Sequence, residues 1–458
     1  MLLAAMPASV RCLTFAGLLA VILHSGCTQR SASQPDVLLV TIDTLRADFV
    51  HSYGFPREIT PHLDALADRG VLFETAIAAS TATAPAHASI MSSRYVREHS
   101  VGSENGSTRL SGVQTLAEVF QAAGYDTAAF VSNVVLKSRS GFDQGFDVYD
   151  DELPSSEANR SNYFERTADA TVGRALAWLA RPRERPFFLW VHLQDPHGPY
   201  TPPGEWVDTV DEVPLRTDRA LPVLRVNRGQ GGIPAYQALD GIRRGARYAA
   251  LYAGEVAFTD HWVGELVKAV VGDDVVIAVT ADHGESLDEE GFFFQHGHRT
   301  TPEQALVPLI VVAPGVASRR VEGVVSHVDI APTLLELAGV EPLAEASGIS
   351  LVPALRAGVA LPDRAVLSDV GHELSAYDVQ GYLNVRIPGQ GPQGQAMPLE
   401  PRRFERSKDG WKKSDAASLP AAVHEYLSSA VKPLPAHAMS DEDLERLRAL
   451  GYLPPLED

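Results

Sequence analysis

Two short apolar runs, each followed at once by an acidic residue, constrain the fold of this chain more than any other feature. Residues 37–42 read VLLVTI and precede Asp43, while residues 275–281 read VVIAVTA and precede Asp282 and His283. Short, β-branched runs that do not alternate with polar residues are typical of strands buried on both faces of a parallel sheet. Because ligands of such a sheet bind beyond the carboxyl ends of its strands, we expect these three side chains to share one site.

Residues 80–95 add a hydroxyl group to this prediction. The segment reads STATAPAHASIMSSRY, which begins with small hydroxyl residues and continues with helical spacing. Pro85 suits the first turn of a helix, where its missing N–H would have no partner anyway. Thr83 then lies at the helix N-terminus, where free N–H groups favour an anion or the nucleophile that attacks one. A threonine there also suits an N-cap, so the segment alone leaves both roles open.

Six motifs in a fixed order extend the pattern over roughly residues 36–340. They are IDTLRAD at 42–48 followed by Tyr53 and Gly54, TAPAH at 83–87, DPHGPY at 195–200, TADHGE at 280–285, HGH at 296–298 and VPLI at 307–310. Together they resemble the sulfatase family of the alkaline-phosphatase superfamily. The resemblance implies an α/β, alkaline-phosphatase-like three-layer sandwich with a mainly parallel central sheet and a small C-terminal α+β part. The alternation of predicted strands and helices independently favours such a sheet.

The nucleophile position departs from the sulfatases that this chain resembles. Those enzymes carry Cys or Ser, converted to formylglycine, where this chain has Thr83, and Arg where it has His87. A single acid, Asp43, ends the first strand, and His283 stands where many calcium-dependent sulfatases have Asn. These differences resemble the Thr-using phosphodiesterases and phosphoethanolamine transferases of the superfamily. An imidazole among the ligands favours zinc or manganese over calcium.

The resemblance implies a role for each candidate site residue. One divalent metal is expected on Asp43, Thr83, Asp282 and His283, with Thr83 as the nucleophile. His87 lies one helical turn from Thr83 and is expected either to hydrogen-bond the transferred group or to pack.

Further candidates follow the strand at residues 187–193. A second metal is expected on Asp195, His197 and His298. With one metal, His197 and His298 would instead grip the anion, and His298 would protonate the leaving group. His192 and His296 are interpreted as structural.

These assignments predict a metal-dependent hydrolase of sulfate or phosphate esters that acts on a small anionic ester or on a sulfated or phosphorylated glycan. Two alternatives remain: a phosphodiesterase or phosphoethanolamine-type transferase acting on envelope glycans or lipids, and a non-catalytic binder of anionic glycans. The net charge of -19 and the lack of a Lys/Arg cluster argue against nucleic acid as a partner.

The N-terminus predicts export to the bacterial cell envelope or periplasm. Residues 1–27 combine Arg11, an apolar run from Leu13 to Leu23 that is too short to span a bilayer, and Cys27 in a context resembling a lipoprotein signal. A lipid on Cys27 would be the only membrane contact, and residues 28–35 would be a tether. Cys12 and Cys27 are the only cysteines, so no disulfide framework is expected.

The remaining pattern predicts a catalytic domain over residues 36–363 and a smaller C-terminal subdomain with a tail helix over residues 364–458. Expected elements are helices at 60–70, 113–123, 163–180 and 246–271, strands at 126–132, 187–193 and 365–369, a long surface loop or lid at 203–240, antiparallel strands around 382–385, 404 and 411, and a tail helix at 441–450.

Overall fold

The computed structural model describes residues 34–429, with gaps at 103–108, 218, 227–228, 271, 273, 388–398, 408–409 and 415–418. The strands are β1 (Asp36–Ile42), β2 (Val71–Ile77), β3 (Asp126–Phe130), β4 (Val148–Asp150), β5 (Ser155–Glu157), β6 (Arg160–Glu165), β7 (Phe187–Leu193), β8 (Val275–Ala281), β9 (Leu306–Val307), β10 (Leu309–Val312), β11 (Arg319–Ser326), β12 (Val366–Asp369), β13 (Glu373–Asp378), β14 (Gly381–Arg386), β15 (Glu400–Ser407) and β16 (Gly410–Ser414). The helices are α1 (Pro61–Arg69), α2 (Thr83–Ser92), α3 (Val96–His99), α4 (Leu116–Ala122), α5 (Ala168–Leu179), α6 (Gly245–Val270), α7 (Pro302–Ala305), α8 (Ile330–Leu337), α9 (Val352–Ala357) and α10 (Ala421–Ser428).

The central sheet is mixed but mainly parallel. Its strand order is β11-β2-β10-β8-β1-β7-β3-β4, with β9 paired to β2. Strand β1 runs parallel to both β7 and β8, and Ile42 pairs with Leu193 on one side and Ala281 on the other. Asp43 and Asp282 directly follow β1 and β8. The register therefore places these two acids side by side at the carboxyl edge of the sheet.

Apolar burial explains why these strands occupy the middle of the molecule. Every residue of β7 and β8 is buried, and only the first residue of β1 is partly exposed. Fully burying one Val, Leu or Phe side chain stabilises a fold by about 1.5–3 kcal/mol. Helices α1 and α5 both contact α6, and a second group contains α2, α4 and α8. The sheet with its two helix groups therefore confirms the predicted α/β architecture.

The C-terminal part forms a second, antiparallel sheet in the order β12-β13-β14-β15-β16. Its apolar residues, including Leu374 and Val385, pack with Val423 and Tyr426 of α10. This confirms the sheet expected around residues 382–385, 404 and 411. The predicted signal segment and the tail helix at 441–450 lie outside the described residues, and the division at residue 363 stays a prediction.

One expectation needs correction. The helix predicted over residues 163–180 begins only at Ala168, because residues 160–165 pair with β5 as a separate hairpin. The predicted loop at 203–240 is tied to the segment before His296: Phe293 N–H donates to the Gly229 carbonyl, and Tyr236 Oη donates to the Phe294 carbonyl. Over the described residues, no helix has the length and apolar character needed to cross a membrane.

Candidate active site

The two strand-end acids are held by the turn that follows β1. Thr44 has a positive φ of 57°, a conformation that few non-glycine residues adopt and that often marks functional sites. Its N–H donates to Asp282 Oδ1 at 3.1 Å, and its carbonyl accepts from Tyr252 Oη at 2.6 Å. His283 N–H also donates to Asp282 Oδ1, at 2.7 Å. The backbone therefore fixes one oxygen of Asp282 and leaves the other to face the site.

The free oxygens of the two acids face one imidazole nitrogen. Asp43 Oδ1 and Asp282 Oδ2 are buried without a hydrogen-bond partner in the described structure, and they lie 3.8 and 3.4 Å from His283 Nε2. His283 Nδ1 lies 2.9 Å from the Gly284 carbonyl, to which it donates, so Nε2 carries a lone pair. Three lone-pair donors within 4.8 Å of one another fit a divalent cation with mixed nitrogen and oxygen ligands.

Thr83 joins this group from the first turn of α2. The N-cap of α2 is Ala82, not Thr83, and no side chain caps the helix. Thr83 Oγ1 instead lies 3.3 Å from His283 Nε2. The N-cap role that the sequence left open for Thr83 is therefore excluded. Its hydroxyl shares the ligand face with Asp43 and Asp282.

Burial controls the charges in this group. It raises the pKa of Asp282 well above its usual value, and the neighbouring Asp43 charge raises that pKa further. Burial also lowers the pKa of His283 to about 3, with the His296 charge adding to the effect. The imidazole is therefore neutral, which is the form that binds a metal. A bound cation would offset two carboxylates that have no water around them.

Both ring nitrogens of His87 lie within hydrogen-bond distance of a partner. Its Nδ1 is 2.8 Å from the Thr83 carbonyl and its Nε2 is 3.0 Å from Thr41 Oγ1, and the ring has no exposed surface. Burial also holds its pKa well below the usual value. Since both ring nitrogens have partners, this arrangement fits the packing role and does not fit contact with a transferred group.

His192 is closer to the metal-ligand cluster than the sequence suggested. Its Nε2 lies 3.6 Å from Asp43 Oδ2 and has no hydrogen-bond partner among the described residues. His87, His192 and Asp282 form a second group whose ligand atoms lie within 4.8 Å of one another. This second group shares Asp282 with the first, and both ring nitrogens of His87 already have hydrogen-bond partners. We therefore regard His192 as a neighbour of Asp43 and not as a ligand of a separate metal.

The residues predicted for a second metal are not gathered. Neither of the two ligand groups in the described chain contains Asp195, His197 or His298. Asp195 Oδ2 accepts the Ala168 N–H at the start of α5. The His298 carbonyl is 3.1 Å from His372 Nε2, and its side chain is partly buried.

His197 belongs to the site wall, together with His296, which the sequence reading had set aside as structural. Their rings are 5.1 Å apart, and the His296 ring lies 4.5 Å from that of His283. His296 Nδ1 lies 3.4 Å from the buried Glu285 carboxylate. That carboxylate raises the pKa of His296, although burial acts in the opposite direction. Glu285 therefore favours the protonated form of His296 beside the candidate ligand His283.

The sequence reading missed Asn133 and Tyr163. Asn133 Nδ2 lies 2.9 Å from Asp43 Oδ2 and 2.8 Å from Tyr163 Oη. The Tyr163 ring stacks on His197 with an interplanar angle of 8°. Asn133 follows the end of β3, so the strand-end argument that found Asp43 applies to it too. Tyr163 carries no such signal, because the sequence pattern predicts a helix that starts at this residue.

Comparison with known proteins identifies the family of the sequence and relatives of its fold. The sequence profile of the family described as "Sulfatase" matches residues 35–340. The Delta 4,5-hexuronate-2-O-sulfatase of Bacteroides thetaiotaomicron is 27% identical over 363 residues, which cover 72% of this chain and 74% of the relative. The choline-sulfatase of Rhizobium meliloti is 26% identical over 384 residues, 70% of this chain and 72% of the relative. The crystal structure of the phosphonate monoester hydrolase of Agrobacterium radiobacter shares the fold, with a TM-score of 0.61 and 21% identity over 82% of this chain and 90% of that one.

Proposed function

The chain belongs to the sulfatase family of ester hydrolases, and we propose that it cleaves an anionic ester by direct attack of an unmodified Thr83 in a divalent-metal site. The observation that carries this proposal is the position of Thr83 Oγ1, 3.3 Å from His283 Nε2 and not capping its own helix. A binding protein would have no use for a hydroxyl held against the imidazole nitrogen that two buried, unpartnered carboxylate oxygens also face.

Asp43, Asp282, His283 and Thr83 would hold the metal. Their donor set of two carboxylates, one imidazole and one hydroxyl favours zinc or manganese over calcium. Such an ion lowers the pKa of a bound hydroxyl and offsets charge that develops on the ester oxygens.

The reaction would proceed in two displacements. Thr83 Oγ1 releases its proton to solvent and bonds to the sulfur or phosphorus atom, while the bond from that atom to the leaving oxygen breaks. His296, held by Glu285, gives its proton to the leaving oxygen. His197 and the α2 N-terminus lie beside the group now on Thr83. A water molecule then gives one proton to His296 and attacks that group, the bond to Thr83 Oγ1 breaks, and Oγ1 takes up a proton from solvent. The product released is inorganic sulfate or phosphate, a phosphate monoester from a diester, or a phosphonate from a phosphonate ester.

A sulfated sugar is the first substrate class that we propose. Its support is the similarity to sulfatases, one of which is named for a 2-O-sulfated hexuronate. A phosphate diester or phosphonate ester is the second class. Its support is Thr83 itself, which cannot be converted to the formylglycine of the sulfatases that the sequence resembles.

A set of matched esters tests both the mechanism and the substrate class. The protein, starting after Cys27 and loaded with zinc or manganese, is assayed on 4-nitrophenyl sulfate, 4-nitrophenyl phosphate and bis(4-nitrophenyl) phosphate. Thr83→Ala should abolish turnover, while Thr83→Ser should retain part of it. Ser80→Ala is the matched control, because the Ser80 hydroxyl is buried nearby without a recorded partner. Turnover that survives in Thr83→Ala would refute the mechanism.

The same assay separates the alternatives. Diester cleavage well above sulfate cleavage would assign the chain to phosphoric esters, and the reverse would assign it to sulfate esters. Transfer to added glycan or lipid acceptors without release of free anion would identify a transferase. We also retain export with lipidation of Cys27 as a proposal, tested by mass spectrometry of the membrane fraction.

A further inference from the structure

The β5–β6 hairpin delivers an arginine to the wall of the active site. Asn159, at the turn, has its Nδ2 2.9 Å from the Tyr236 carbonyl and 2.8 Å from the Ala238 carbonyl, so the hairpin is fixed to the loop that precedes α6. The next residue, Arg160, places its guanidinium carbon 4.1 Å from the Tyr163 ring centre and 4.2 Å from that of Tyr236. Both flat faces of the guanidinium are thus covered by aromatic rings.

One edge of the guanidinium is also occupied. Arg160 Nε and Nη2 donate to the two oxygens of Glu157 at 2.6 and 2.5 Å, and the Glu157 side chain has no exposed surface. Nη1 has no hydrogen-bond partner among the described residues and is not closed off from solvent. The Arg160 side chain as a whole is only 13% exposed. The arginine is therefore a fixed cation with one donor edge left open.

Arg160 adjoins the site wall through the Tyr163 ring, beyond the groups that would hold the scissile ester. The path from the metal-ligand residue runs from His283 to His296 at 4.5 Å, to His197 at 5.1 Å and to Tyr163 at 5.6 Å. Glu157 Oε1 also lies 3.6 Å from His197 Nδ1, so the ion pair touches the site wall directly. An anion at Arg160 would thus be a different group from the one that Thr83 attacks.

We infer that Arg160 forms a subsite for a second acidic group, a carboxylate or a sulfate, on the sugar that carries the scissile ester or on its neighbour. Buried ion pairs contribute little net stability, so pairing with Glu157 alone does not account for a guanidinium clamped between two tyrosines. A fixed guanidinium fork binds planar or tetrahedral oxyanions without losing side-chain entropy on binding. This inference rests on the proposed function, because it names the substrate class of the same site.

Binding to an inactive protein tests the subsite independently of turnover. Metal-loaded Thr83→Ala is titrated by calorimetry with two matched pairs: glucose 2-sulfate against glucuronate 2-sulfate, and N-acetylglucosamine 6-sulfate against glucosamine 2-N,6-O-disulfate. In at least one pair the doubly charged sugar should bind about tenfold more tightly. Adding Glu157→Gln and Arg160→Gln together leaves no charge unpaired and should remove that preference, while the singly charged sugar keeps its affinity within about twofold.

The surface pair Glu212 and Arg244 provides the matched control, because replacing both residues with Gln removes an exposed ion pair and should preserve the preference. If the Glu157/Arg160 variant does not fold, Arg160→Lys, which keeps the charge but loses the fork, should weaken the preference. No preference in either pair, or an equal loss for both sugars, would overturn the subsite. If wild-type protein hydrolyses neither these sugars nor the 4-nitrophenyl esters while the preference is present, the proposed function fails and the subsite stands.

Discussion

Asn133 links the metal-ligand acid Asp43 to the aromatic wall of the site. Its amide donates to Asp43 Oδ2 and lies within hydrogen-bond distance of Tyr163 Oη. Groups that orient a metal ligand typically change metal affinity 10- to 100-fold when removed. We therefore expect Asn133→Ala to weaken zinc or manganese binding by about that factor, as measured by competition with a chelator. Tyr163→Phe is the control: it removes only the hydroxyl and should have a smaller effect. Unchanged affinity in Asn133→Ala would contradict the role.

Two histidines, His296 and His298, are the candidates for the group that protonates the leaving oxygen. A group that protonates the leaving oxygen matters most when that oxygen is a poor leaving group. Because His296 contacts Glu285 and the His283 ring, His296→Ala should lower kcat/KM about 100-fold for an alkyl ester and much less for a 4-nitrophenyl ester. The same comparison in His298→Ala shows which assignment holds. If only His298→Ala lowers kcat/KM selectively for the alkyl ester, the proton donor is His298, as the sequence predicts.

Individual site residues were predictable where they follow a buried strand. Asp43 and Asp282 come directly after β1 and β8, and parallel pairing brings the ends of these strands together. His87 shows the limit of this reasoning. It lies one helical turn from Thr83 in α2, as its spacing predicts. The orientation of its ring depends on Thr41 of β1, which the local sequence does not reveal.

At the scale of elements, a buried carboxyl pair holds the segment that carries His197. Glu255 of α6 accepts the Thr201 N–H, and Asp195 accepts the Ala168 N–H, so the segment from 195 to 201 is fixed at both ends. Burial raises the pKa of Glu255 well above its usual value, and the nearby Asp195 charge raises it further. In the native protein, Glu255 therefore keeps its proton at pH values where the unfolded chain has lost it.

This raised pKa makes the stability of the fold depend on pH. Because the native state binds more protons, the free energy of unfolding falls as pH rises from the unfolded pKa of about 4.3 towards the higher folded pKa. Glu255→Gln keeps an acceptor for the Thr201 N–H but does not titrate. We expect the variant to gain stability relative to wild type between about pH 5 and pH 8 in urea unfolding. The control is Glu341→Gln, at an exposed position, which should not reproduce this pH-dependent gain in the free energy of unfolding. If the gain of Glu255→Gln over wild type does not change with pH, Glu255 does not make the stability pH-dependent.

Elements with a clear pattern of apolar residues were predicted well from the sequence. The β5–β6 hairpin, which depends on pairing between strands, was not. The core strands and α6 follow from apolar runs that need no partner to be recognised. The helix predicted over residues 163–180 includes the end of β6, whereas β6 forms through pairing with β5. Tyr163 was missed for this reason, and Arg160 was missed because the pairing that positions it leaves no local pattern.

At the scale of the whole molecule, the central sheet encloses two acidic side chains at its carboxyl edge. Asp43 and Asp282 have no exposed surface, and their contacts include backbone N–H groups, Asn133 and imidazole rings. Ionising both buried carboxyl groups without a bound cation is costly, and burial accordingly raises the pKa of Asp282. A metal ion that binds only the folded chain should therefore raise its stability.

Removing and restoring the metal measures this effect directly. A metal at 100 times its Kd contributes about 2.7 kcal/mol, which should raise the Tm of the chelated protein by several degrees. Zinc and manganese should act at lower concentrations than calcium, because His283 supplies a nitrogen ligand. Asp282→Asn should lose the metal-dependent shift, whereas Asp211→Asn, at an exposed position, should keep it. A larger shift with calcium than with zinc or manganese would contradict the ligand assignment, because it would mean that the imidazole does not bind the ion.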